Sequence, residues 1–172
     1  EQTRSLEALA RQLDITLNTV LQGAWAVLLG RICGSRDLVF GTTVSGGPPE
    51  IAGVETMAGL FINTVPVRAR PLQDLTVEAF LKELQNTQAA LMPHQHLGLP
   101  EIQAGAGLGD LFDTLLVFEN YPDVEEMGAA TDSGLRIGGL EVHDRTHYPV
   151  SLMVVPGERL MLRLDCRAER IG

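Results

Sequence analysis

From Leu17 to Ile32 the chain carries Leu17, Val20, Leu21, Ala24, Trp25, Val27, Leu28 and Ile32, which together cover nearly every face of one helix. Such a helix is buried on most sides, so the fold must supply cover in more than one direction. Thr16 is placed to cap this helix, with Ile15 and Val20 as a hydrophobic staple, over a span to about Arg31. Gly34 ends it. Ahead of it, Leu6, Leu9, Ala10 and Leu13 recur at helical spacing and mark a short amphipathic first helix. At 172 residues, 45% hydrophobic and 20% charged, the chain fits one folded domain and not a disordered tail.

Helix and strand signals then alternate. Leu38 to Val44 reads as a strand, and Thr114 to Phe118 is an unbroken apolar run of the kind a central strand shows when both faces are covered. These two are expected to be adjacent interior strands, with the helix from Thr16 to Arg31 packed across them. Ser45 to Gly53 is a loop by its Gly and Pro content. Asn63 to Arg68 reads as extended, but Pro66 cannot donate to a ladder, which predicts an edge or a bulge. A third helix is capped by Thr76, stapled by Leu75 and Phe80, striped by Val77, Phe80, Leu81, Leu84 and Leu91, and stopped by Pro93. The acidic stretch from Tyr121 to Gly134 predicts a surface loop. Strands are expected near Leu135–Val142, Pro149–Val155 and Leu160–Cys166, the last two joined by a Pro156-Gly157 turn. The pattern is α/β: a two-layer mixed sheet with helices mainly on one face.

Charge narrows the function. The net charge of −9, from 13 basic and 22 acidic residues, argues against nucleic acid or an anionic membrane as partner. All the basic residues except Lys82 are arginines, which favour fixed, forked contacts. Cys33 and Cys166 form no CxxC pair, and a reducing cytoplasm is the expected setting. The most apolar stretch, Gly23 to Gly30, falls short of the roughly 20 residues of a membrane span. No basic segment precedes an apolar one near Glu1, so no signal peptide is expected.

Most chemical motifs fail on inspection. Gly41 and Gly46 have phosphate-loop spacing, but Gly47-Pro48 stands where Lys-Ser/Thr is required. Ser45 follows a strand as an elbow nucleophile would, yet Pro48-Pro49 blocks the helix that should follow. His143 and His147 are four apart but flank a strand start, without a carboxylate in an HExxH position, so no metal site is expected. His94 and His96 follow a helix-ending Pro, where solvation or packing is the ordinary role.

Longer blocks say more. Val39 to Gly46 (VFGTTVSG), Pro48-Pro49-Glu50, Gly53 to Met57 (GVETM) and Gly59 to Arg68 (GLFINTVPVR) follow in order. Leu111 to Pro122 (LFDTLLVFENYP) and Thr146 to Leu152 (THYPVSL) come later. Together they resemble the condensation domains of nonribosomal peptide synthetases over nearly the whole chain, the Gly-x-Phe-x-Asn-Thr segment matching that family's fifth signature. The loop has Gly47 where the family commonly has Arg, and the sixth signature, His94 to Leu99, lacks its usual acidic and Phe positions.

The resemblance implies half of a fold similar to chloramphenicol acetyltransferase, in which two subdomains face a tunnel. The family's HHxxxDG signature, whose second His is the active-site residue, belongs to the N-terminal subdomain, and no adjacent His pair occurs here. The chain therefore resembles the C-terminal subdomain, residues 1–172, and no catalytic residue is expected in it. The parent reaction joins a donor acyl or peptidyl thioester to an acceptor aminoacyl thioester on carrier proteins. This half would supply a tunnel wall, a floor loop from Ser45 to Ile51, part of a latch from about Tyr121 to Leu140, and docking surface. Ser45, Gly46, Gly59, Phe61, Asn63 and His94 are the implied tunnel and floor residues. Asn63 is the candidate for polar support, because an amide donates and accepts without titrating; the alternative is that it satisfies backbone near Pro66. Arg31 and Arg36 are the candidate carrier-docking pair. No cofactor is expected to bind directly, 4′-phosphopantetheine being presented by the carriers. The implied partners are the N-terminal half, the carriers and an adjacent adenylation domain. Two rival readings are a non-catalytic carrier-binding module and half of an epimerisation domain.

Overall fold

The computed structural model describes residues 1–45, 61–71, 75–119 and 146–167. Helix α1 (Gln2–Leu13) ends at Asp14, whose φ of 54° and ψ of 47° are left-handed, a conformation that a short polar side chain tolerates. The chain bends by 105° there and enters α2 (Leu17–Cys33). Thr16 caps α2 as its sequence predicts, its Oγ1 accepting from the Thr19 amide at 3.1 Å. Gly34, at φ 63°, closes the helix. Helix α3 (Val77–Leu91) starts the same way, Thr76 Oγ1 accepting from the Ala79 amide at 3.2 Å. The two helices are tied where α2 begins: Gln85 Oε1 of α3 accepts from the Thr16 amide at 3.1 Å and from Thr19 Oγ1 at 2.6 Å.

Among the described residues, five strands, β1 (Leu38–Ser45), β2 (Ile62–Ala69), β3 (Thr114–Phe118), β4 (Val150–Val155) and β5 (Met161–Cys166), form one sheet in the order β2-β1-β3-β4-β5. The β1/β2 and β4/β5 pairs are antiparallel, and β1/β3 and β3/β4 are parallel. The expected neighbours β1 and β3 are indeed interior and adjacent. Pro66 lies on edge strand β2 opposite Gly41, in an unbroken register, so its missing donor is absorbed by the edge and needs no bulge. The expected strand Leu135–Val142 and the loop Tyr121–Gly134 lie outside the described residues.

The core joins Trp25, Ala26 and Leu29 of α2 and Phe80, Leu81 and Leu84 of α3 to Phe40, Val67, Ala69 and Leu116 of the sheet. Helix α2 has cover from more than one direction, as expected, and two details need correction. Ala24, Leu28 and Ile32, four residues apart on α2, are exposed, Ile32 by 71%. Helices α1 and α3 and strand β1 pack against other faces of α2, and Arg31 and Cys33 in its last turn are exposed as well. In α3, Val77 is 72% exposed and Leu75 before it 48%, so the buried stripe begins one turn later, at Phe80. Apolar spacing marks a candidate face but does not say where the facing element ends.

On the other face, Gly41 leaves room for the ring of Phe112, which stacks on Tyr148 with centroids 5.5 Å apart. Helix α4 (Leu99–Ala106), which the sequence reading missed, packs against β2. Gly98-Leu99-Pro100 followed by Glu101 was its signal, a Pro in the first turn with an acid after it.

Candidate functional site

The register of the β1–β2 hairpin ends at Val44–Asn63 and Ser45–Ile62. Asn63 uses both amide donors and one acceptor position there. Nδ2 donates to the carbonyls of Gln95 and Leu97, each at 2.7 Å, and Oδ1 accepts from the Thr64 amide at 2.9 Å. The contacted turn follows α3. The helix stops at Leu91, Met92–His94 makes one 3₁₀ turn containing Pro93, and the Leu97 amide closes back on the His94 carbonyl at 3.1 Å. Backbone satisfaction, one of the two roles open to Asn63 from sequence, is thus what its amide performs, on this turn and not at a bulge.

The structure brings part of the sequence-derived set together. Asn63 and the turn containing His94 are in direct contact, and Ser45 and Phe61 flank the same hairpin end. His94, His96 and Phe61 are exposed. Gly46 and Gly59, with most of the Ser45–Ile51 floor loop and the Tyr121–Leu140 latch segment, lie outside the described residues, as does His143.

Arg31 and Arg36 are both exposed around the turn that links α2 to β1. The sequence reading missed the ion cluster beside them. Asp37 takes a forked pair from Arg68, Nε to Oδ1 at 2.8 Å and Nη2 to Oδ2 at 2.6 Å, and a third contact from Arg70 Nε at 3.3 Å. The hydrogen bonds from Arg68 hold the Asp37 carboxyl well below the usual range, at about 2, with the nearby guanidinium charges adding to the effect. No local pattern announces this cluster, since Asp37 stands just before β1 while Arg68 and Arg70 lie at the far end of β2, 31 and 33 positions on.

Beyond the sheet, Val39, Leu99, Gln103, Asp110, Phe112 and Tyr148 line an open groove of about 750 Å³. Burial, and then the Asp110 charge, push the Tyr148 hydroxyl above its ordinary pKa. His147 stands against Tyr148 with centroids 4.1 Å apart. Among the described residues, no group of three His, Cys, Asp or Glu side chains could hold a metal ion, and no single helix is long and apolar enough to cross a membrane.

The family model described as Condensation domain matches residues 1–170. Chondramide synthase cmdD of Chondromyces crocatus is 41% identical over 175 residues, a stretch that takes in 100% of this chain and 4% of that protein. Vanchrobactin synthetase VabF of Vibrio anguillarum is 40% identical over 170 residues, covering 99% of this chain and 6% of its own length. Surfactin synthase subunit 3 of Bacillus subtilis is 39% identical, with shares of 95% and 13%. The chain thus spans a small part of these curated relatives. Among solved structures, the first condensation domain of the CDA synthetase superposes with a TM-score of 0.75 at 15% identity, over 99% of this chain and 38% of that one. A four-domain nonribosomal peptide synthetase bound to AMP and glycine gives 0.78 at 17% identity, over 94% and 14%. At these identities the structures establish the fold.

Proposed function

The chain belongs to the condensation-domain family, and from that premise we propose that it is the C-terminal half of a domain that forms amide bonds in a nonribosomal peptide synthetase. The observation that carries this reading is one of proportion. A family match over residues 1–170 coincides with 38% of a condensation-domain structure, as expected of one of two lobes. The half-fold is the chloramphenicol acetyltransferase-like one implied by the sequence.

In the proposed reaction the acceptor amine attacks the donor thioester carbonyl. A C–N bond forms, the C–S bond breaks, and the amine proton ends on the departing phosphopantetheine thiol. Holding both tethered substrates in one tunnel makes the attack effectively unimolecular, a gain of roughly 7–11 kcal/mol when alignment is good. This lobe contributes alignment. The hairpin end at Ser45 and Ile62, the exposed Phe61 and the Asn63-held turn form its tunnel side, and the four imidazoles, His94, His96, His143 and His147, do not form the HHxxxDG pair. That pair would come from the other lobe. The partners are that lobe, carrier proteins presenting 4′-phosphopantetheine and an adenylation domain, in the cytoplasm.

The test supplies loaded donor and acceptor carriers to the chain alone and to the chain mixed with the complementary lobe, with product read by mass spectrometry. Product is expected only from the mixture. Product from the chain alone, lost when any one of the four histidines is replaced, would overturn the reading.

A further inference from the structure

The turn after α3 has to leave that helix, cross the end of edge strand β2 and start α4 within a few residues. Its carbonyls at Gln95 and Leu97 find a partner outside the turn, 32 and 34 positions back in the chain, where both take a hydrogen from the same amide, that of Asn63. A neutral side chain that donates twice and accepts once can only be Asn or Gln. Here the third bond, to the Thr64 amide, locks the Asn63 amide plane to its own strand. The turn it grips carries His94 and His96, both exposed, beside the hairpin end where Val44 pairs with Asn63 and Ser45 with Ile62.

We infer that Asn63 is a positioning residue: its amide clasps the His94–Leu97 turn to β2 and thereby fixes where that turn stands against the hairpin end. Both Nδ2 hydrogens are taken by the turn, so the amide has no donor left to offer a reacting group, and its role runs through the turn. The consequence for turnover rests on the functional reading above; the clasp itself does not.

Three substitutions in a complete condensation domain carrying this chain separate the possibilities. Asn63→Ala removes the clasp. Asn63→Asp keeps the acceptor for Thr64 but loses both donors, so it isolates the grip on the turn. Gly98→Ser serves as rescue. Gly98 is the N-cap of α4 at φ −67°, without a side-chain cap, and an added Cβ would meet only Pro100 Cδ at 3.8 Å. A serine there stands three residues before Glu101, the spacing of a capping box, and stiffens the turn independently of position 63.

Hydrogen exchange at the Leu97 amide reads the clasp, and turnover with loaded carriers reads its effect. Both Asn63 variants are expected to speed Leu97 exchange about tenfold and to lower turnover by about tenfold or more, since small misplacements of aligned groups are costly. Gly98→Ser in the Asn63→Ala background is expected to recover much of both. Unchanged Leu97 exchange in Asn63→Asp would overturn the clasp. Recovery of exchange without recovery of turnover would overturn the positioning role. A wild-type domain that forms no product would instead sink the functional reading, and the exchange arm would still decide the clasp.

Discussion

At position 41 an alanine Cβ would stand 2.3 Å from Phe112 Cε2, with Cζ and Cδ2 at 2.8 and 2.9 Å. A whole ring edge is in the way, and that ring is stacked on Tyr148. Gly41→Ala should therefore cost about 1–3 kcal/mol in a urea melt, as overpacking does. Most of the loss should vanish in a Phe112→Leu background; a cost that persists there would place the constraint elsewhere. Asp37 makes a different kind of prediction. Its folded-state pKa, about 2, is depressed by Arg68, so its contribution is fully present above the unfolded value near 4 and is lost as the pH falls towards 2. The pair is exposed, which keeps that contribution small. An NMR titration of the carboxyl carbon should show the low midpoint, and Arg68→Ala should return it towards the ordinary range. An unmoved midpoint would discharge Arg68 as the cause.

Among the elements, the start of α2 depends on a side chain from α3. Replacing Gln85 by Ala leaves the Thr16 amide and the buried Thr19 hydroxyl without their shared acceptor, at about 1–3 kcal/mol. Gln85→Glu keeps an acceptor and should lose much less, so equal urea midpoints for the two variants would count against the hydrogen bonds. This contact also marks where sequence reasoning stops. The caps at Thr16 and Thr76 and the turn at Gly34 were readable because a cap is a local event, written within four residues. So was strand β3, whose run of TLLVF leaves no polar face to expose. What sits 30 or more positions apart was not: Asp37 with Arg68, Asn63 with Gln95, Gln85 with Thr19. The exposed stripe on α2 belongs with these. Its residues are as apolar as the buried ones, and only the placement of neighbours tells them apart. In the candidate site, the sequence singled out Asn63 and His94 separately, and the chain's path joined them.

For the whole molecule, a net charge of −9 opposes any acidic partner at long range, so under the proposed function carrier docking would rest on local basic groups and apolar contact. Replacing exposed Arg31 and Arg36 together by Glu should weaken carrier binding in a titration; an unchanged dissociation constant would remove that pair from the docking surface. The topology carries a consequence for time. Strand β1 pairs early with β2, but its other neighbour, β3, lies far along the chain: Thr42 Oγ1 donates to the Leu116 carbonyl across 74 positions. At about 5–20 residues per second, a ribosome delivers β3 several seconds after β1. During that interval α1, α2, α3 and the hairpin exist without the strand that closes the centre of the sheet, and one edge of β1 stays open to any extended segment nearby. Stalled nascent chains should accordingly keep β1 open to proteolysis until Phe118 has cleared the exit tunnel, and a chain already resistant with only α3 emerged would show that the first half closes by itself.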